Sequence, residues 1–247
     1  MKLQLTNLKQ NALLILTSTL LVVGCGNNGK KSADSDTLPP VDSTQSTLLS
    51  VNGKIFSIPS PIQTAFLIKK SGATYNKTIL NAPNKSSQYS TNFSKAINLG
   101  IYGADLGYVT MYDQTQDAIG YLNAAKKLSD QLGISGAFDT KTIERFQKSL
   151  GNKDSMLVLV GVAYRASDAY LKSNDENDIS GLVLAGGWIE SLYFATNVYK
   201  TKATEDLKER IAEQKSSLTN LIALLNQYKD KAGYTDFIDS LTDLSKT

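Results

Sequence analysis

"INLGIYGADLGYVTMY", Ile97 to Tyr112, holds three glycines, an asparagine, an aspartate and three tyrosines among strongly apolar residues. Three readings compete: a phosphate-cradling loop, a membrane-spanning helix, or a tightly packed core helix. Spacing removes the first, because Gly100, Gly103 and Gly107 form neither GxGxxG nor a P-loop and no strand pattern precedes them. A spanning helix needs about 20 uninterrupted apolar residues, and Asn98, Asp105 and Asp113 interrupt this run. A core helix remains. At about 100° per residue the three glycines fall within roughly 60° of one another, beside Phe93, Ala96 and Met111. Each glycine costs a helix about 1 kcal/mol against alanine, so three on one face imply close approach of a neighbouring helix. Leu99, Tyr102, Leu106 and Val109 cover the other flanks. Such a helix sits centrally, with Asp105 buried or facing a pocket.

A second stretch reads as its partner. "LVLAGGWIESLYFATNVY", Leu182 to Tyr199, has small residues at Gly186 and Gly187 and a single acid, Glu190. Set side by side, Asp105 matches Glu190 and Tyr108 matches Tyr193. Asn98 lies on the stripe of Asp105, seven residues before it, and Asn197 lies seven after Glu190. A third apolar run, "MLVLVGVAYRASDAYL", carries Arg165, the most obvious cation to pair with a buried carboxylate. Asp105, Glu190 and Arg165, with Trp188, Tyr108, Tyr193, Asn98 and Asn197 around them, make either a buried polar network that fixes helix register or the polar end of a pocket between helices. A catalytic carboxylate pair of the kind used in glycoside hydrolysis is the rival reading.

Working outward, "VNGKIFSIP" suits a short extended segment, and Ser60-Pro61 opens a helix that ends near Gly72. A polar loop, "ATYNKTILNAPNKSSQ", then leads into the central stretch. Further helical patterns follow in "DAIGYLNAAKKLSDQLG", "DTKTIERFQKSL", the runs carrying Arg165 and Glu190, Thr204 to Lys229, and "TDFIDSLTDLS". The expectation is an all-α single compact bundle of about seven or eight helices over residues 51–247. Within it, "LGISGAFDTKTIERFQKSLG" looks like the peptidoglycan-binding repeat at Gly136, Phe138, Thr142, Phe146 and Gln147, but Asp139 replaces the glycine that follows the aromatic. A helix capped by Asp139, with Ile143, Phe146 and Leu150 buried, accounts for the same residues. "NDENDIS", Asn174 to Ser180, lacks the glycine and terminal glutamate of an EF-hand and reads as a loop with a helix cap.

The N-terminus supplies an address. Lys2 and Lys9 precede an apolar run from Ala12 to Val23 that suits a secretory signal. It closes on "VVGC", which resembles the lipobox of bacterial lipoproteins. That resemblance implies cleavage of residues 1–24 and a diacylglycerol on Cys25, the only cysteine. Residues 25–50, polar and containing Pro39-Pro40, read as a flexible tether. Gly26 after the cysteine favours the outer membrane, and the lack of a dense acidic signal favours a periplasmic face. The helical part also resembles uncharacterised Bacteroidota lipoproteins through "NLGIYGADLGY", "NKDS" and "GGWIESLY", a family that carries no activity to transfer.

Composition narrows the function. Removing residues 1–24 takes the net charge from +3 to +1, and no clustered basic patch suggests nucleic acid. The chain has no histidine, which excludes Ser-His-Asp and Cys-His nucleophilic systems and the usual zinc sites. No cofactor or metal motif is expected. The functional expectation is a lipid-anchored envelope module that binds a small ligand or an envelope protein, against an envelope hydrolase using paired carboxylates.

Overall fold

The computed structural model describes residues 47–51, 54–135 and 139–247. Cys25 and most of the tether lie outside the described residues, as do Gly136 and Phe138. The chain is an all-α bundle. Its helices are α1 (Pro61–Lys70), α2 (Asn92–Met111), α3 (Thr115–Gln131), α4 (Thr140–Lys148), α5 (Lys153–Ser173), α6 (Asn177–Tyr199), α7 (Glu205–Leu225) and α8 (Tyr234–Leu244). Two strands, β1 (Thr47–Val51) and β2 (Lys54–Ile58), pair antiparallel with Thr47 opposite Ile58. β1 therefore begins inside the stretch read as tether, where the apolar "TLLSV" was its only sign.

Local chemistry sets the helix ends. The Ser60 hydroxyl accepts from the Ile62 N–H ahead of Pro61 at the first turn of α1, and Gly72 adopts φ 77° just past its end. Thr91 and Ser94 form a reciprocal capping box at the start of α2. Asp139 caps α4 by accepting from the Thr142 N–H, and Phe146 is buried beneath it.

The core is organised around α2 and α6. These two helices share the most extensive contact in the bundle, and α1, α3, α5 and α7 pack around the pair. Ile97 meets Gly186, Asp105 meets Glu190 and Tyr108 stacks on Phe194, so the two helices run in the same direction. α6 is long and apolar enough to cross a membrane, yet 67% of that window is buried in the bundle. Its apolarity serves packing against protein over most of its circumference, with Tyr193 left exposed.

Candidate functional site

The glycine face works as the sequence requires, though each glycine answers to a different neighbour. A Cβ on Gly100 would overlap the Val183 carbonyl of α6, and one on Gly186 would overlap the Ile97 carbonyl of α2. Backbone meets backbone there. Gly103 instead receives the ring of Tyr164 from α5, whose hydroxyl donates to the Gly100 carbonyl at 2.8 Å. Gly107 is less constrained, since a Cβ would sit 3.6 Å from Ile62 Cγ1 of α1.

This close approach sets Asp105 of α2 against Glu190 of α6. Asp105 is fully buried and Glu190 is 5% exposed. Each carboxyl group perturbs the other, which makes them neighbours in the core. Two ionised carboxylates have only acceptors to offer, and with both charged neither Asp105 oxygen finds a donor. One proton held between them supplies the missing donor. Burial, followed by the charge of Glu190, pushes Asp105 well above the ordinary carboxylate range. Burial pushes Glu190 up to about 7, against the pull of Asn81 and Asp105. The pair is thus singly or doubly protonated through mildly acidic conditions.

Asn81 is the residue that sequence reasoning passed over. Its amide donates to Glu190 Oε1 at 3.3 Å, and it also favours the charged form of Asp105. Asn81 sits in the loop 71–91, which tyrosines fasten to the bundle. Tyr102 donates to the Ala82 carbonyl at 3.0 Å, Tyr112 to the Ala73 carbonyl at 2.8 Å, and Tyr75 to Asp117 at 2.7 Å. Tyr108, wholly buried, accepts from the Asn76 N–H at 3.2 Å. A stretch dense in Asn, Lys and Ser reads as free loop because the hydroxyls that tie it down lie far along the chain.

The other expected members do not join the pair. Arg165 is exposed and makes no ion pair with Asp105 or Glu190, so the expected cation is replaced by a shared proton. The reason is the helix face: Tyr164 points from α5 into the α2–α6 contact, and its neighbour Arg165 points outward. Trp188 stands two residues from Glu190, on another face of α6, where its indole N–H donates to Gln214 of α7 at 2.8 Å. Tyr193 is 46% exposed. Asn98 and Asn197 bond back to the carbonyls of Ser94 and Tyr193 within their own helices. The sevenfold spacings that linked them to the acids are periodicity alone. Both acids are buried, which leaves no space for the sugar ring and water that hydrolysis by paired carboxylates requires.

A second feature is open. Between α1, the end of α2 and the start of α5 runs a groove of about 510 Å³ lined by Ile62, Phe66, Met111 and Leu157, with Gln63 and the lysines Lys69, Lys70 and Lys153. Phe66 is 53% exposed. The Gln63 Oε1 is buried and receives no hydrogen bond from the described residues. Lys69 reaches Asp113 and Lys70 reaches Asp206, both at the solvent edge. Among the described residues there is no group of three or more side chains of metal-ligating type. No protein-family model, curated protein or solved structure matches the chain.

Proposed function

We propose that the chain is a lipid-anchored envelope protein whose helical domain binds a small ligand with an apolar body and an acidic end. The groove between α1, α2 and α5 carries this reading. Its volume of about 510 Å³ lies within the range of small-molecule sites. Its floor is apolar, and of the three lysines that line it Lys69 and Lys70 are engaged by Asp113 and Asp206, while Lys153 makes no ion pair among the described residues. An exposed phenylalanine is a feature that the apolar body of a bound ligand would cover. The anchor rests on the lipobox at Cys25, and the resemblance to helical Bacteroidota lipoproteins agrees with it. Two acyl chains suffice to hold a tethered domain on a membrane, at about 0.8 kcal/mol per buried CH₂.

Titration with a series of aliphatic carboxylic acids of increasing chain length tests the groove. Binding should strengthen with length, and Phe66→Glu should weaken it by about tenfold or more without changing the melting temperature. An absence of binding along the whole series, or an indifferent Phe66→Glu, overturns the assignment. The anchor is checked by fractionation: Cys25→Ser should leave the outer membrane after a salt wash.

A further inference from the structure

We propose that the cleft between the α2–α3 turn and the start of α5 is a binding site for a small oxyanion, a phosphate-sized ion held by Thr110, Lys153 and the first turns of two helices. The cleft measures about 120 Å³, with Thr110, Asp113 and Gln114 on one side and Gly151 and Lys153 on the other. A single buried water needs only about 10–15 Å³ by the same measure, so there is room for an ion of several heavy atoms. Of the residues that line the groove only Lys153 also borders this cleft, so the two sites stand or fall separately.

Thr110 is the residue that points to a ligand. It lies in the last turn of α2, is 4% exposed, and its hydroxyl has no hydrogen-bond partner among the described residues. A helical threonine ordinarily returns that bond to the carbonyl four residues back, as Thr196 and Thr242 do. A buried hydroxyl left unpaired is costly unless something in the cleft completes its bond.

The charges around the cleft favour an anion. Lys153 makes no ion pair among the described residues. Asp113 is already held by Lys69 at 3.1 Å. The carbonyl end of α2 is closed as well. Asp113, at φ 58°, turns the chain so that its N–H reaches the Thr110 carbonyl and the Gln114 N–H reaches the Val109 carbonyl. The same turn brings the start of α3 to the cleft without a capping side chain, because Gln114 bonds instead to the Tyr112 carbonyl. α5 begins on the opposite wall, where Asn152 covers the Ser155 N–H. The leading N–H groups of both helices and the positive ends of their dipoles therefore border one space. Of the acids in those first turns, Asp117 is engaged by Lys77 and Tyr75, and Asp154 lines the groove. Lys153 supplies a full charge, and the Thr110 hydroxyl a directed donor.

Inorganic phosphate is the probe, titrated into the full-length protein by calorimetry against chloride of equal ionic strength. Binding should be saturable, with a Kd of about 1 mM or tighter, and should raise the melting temperature. Thr110→Val keeps the side-chain shape and removes the hydroxyl. It should weaken binding by about tenfold and leave the phosphate-free melting temperature unchanged or higher. Lys153→Gln should weaken binding by a similar factor, and it decides the matter if Thr110→Val does not fold. A parent protein that shows no saturable phosphate binding overturns the proposal. So does binding that a folded Thr110→Val, or Lys153→Gln, leaves intact, since the ion would then sit elsewhere on the surface.

Discussion

Two buried aspartates, Asp105 and Asp178, solve the same problem in opposite ways. Both sit on helices of the core, and both are nearly inaccessible. Asp178, in the first turn of α6, accepts from Lys231 Nζ at 2.5 Å and from the Tyr234 hydroxyl at 3.3 Å. Its partners come from the segment before α8 and from the start of that helix, and the lysine reaches water with the rest of its side chain. Asp105, in the middle of α2, meets another acid and an amide. Position along the helix accounts for the difference. A carboxylate near a helix N-terminus is favoured by the helix dipole and lies within reach of a flexible cation at the rim. One at mid-helix, pressed against a second core helix, is reached only by what its neighbours already carry. The first acid meets a cation and a hydroxyl, the second another acid and an amide.

The largest way to break the comparison is to remove the contact that creates the second environment. Gly186→Leu would drive a branched side chain into the Ile97 carbonyl. The expected cost is about 3 kcal/mol or more, or failure to fold, measured by chemical denaturation. A variant as stable as the parent would mean that α2 and α6 are not in backbone contact.

Stability against pH sharpens the contrast. The folded protein keeps the Glu190 proton up to about 7, whereas an unfolded glutamate releases it near its ordinary value of about 4.3. The unfolded state therefore binds fewer protons through this window, and unfolding free energy falls as pH rises across it. The loss from Glu190 is about 4 kcal/mol if the shift acts in full, and Asp105, raised as well, extends the decline as its own proton leaves. Melts from mildly acidic to mildly alkaline pH should show the decline in the parent and a shallower one in Glu190→Gln, where Asp105 stays buried. A rise in stability over that range would place the pair as an ordinary charged site.

The smallest effect is expected at the conventional acid. Asp178→Asn removes the charge that meets Lys231 while keeping the side-chain shape. Because the lysine is half in solvent, the cost at neutral pH should be about 1 kcal/mol and should shrink as salt is added. A cost equal to that of the glycine variant would mean that Asp178 holds α8 in place to a degree its bonds do not suggest.

Much of this could be read before any coordinates. The glycine spacing in α2, the paired small residues in α6, and the acid in each apolar run led to two central helices with a buried acid apiece. The alignment that set Asp105 beside Glu190 holds in space, because the helices lie parallel in nearly that register, although Tyr108 meets Phe194 and not Tyr193. Arg165 was misread for a definable reason. An arginine in an apolar run looks buried, but an arginine one residue from a core tyrosine faces about 100° away from it. The fastening of the polar loop escaped notice for a different one. Nothing in "NKTILNAPNKSSQ" says that Tyr102, Tyr108 and Tyr112 of the following helix will bond to this loop and the residues just before it.

The sequence by itself determined the helices, their caps and the central place of α2 and α6, since periodicity, capping side chains and the helical cost of glycine all act over a few residues. Tertiary structure alone decided which partners each buried polar group finds. Those partners come from residues tens of positions apart, and a one-residue turn about a helix axis exchanges core for solvent. That is why the acid pair was half visible in the sequence, while Asn81, the shared proton and the groove behind Phe66 emerged only once the helices were packed.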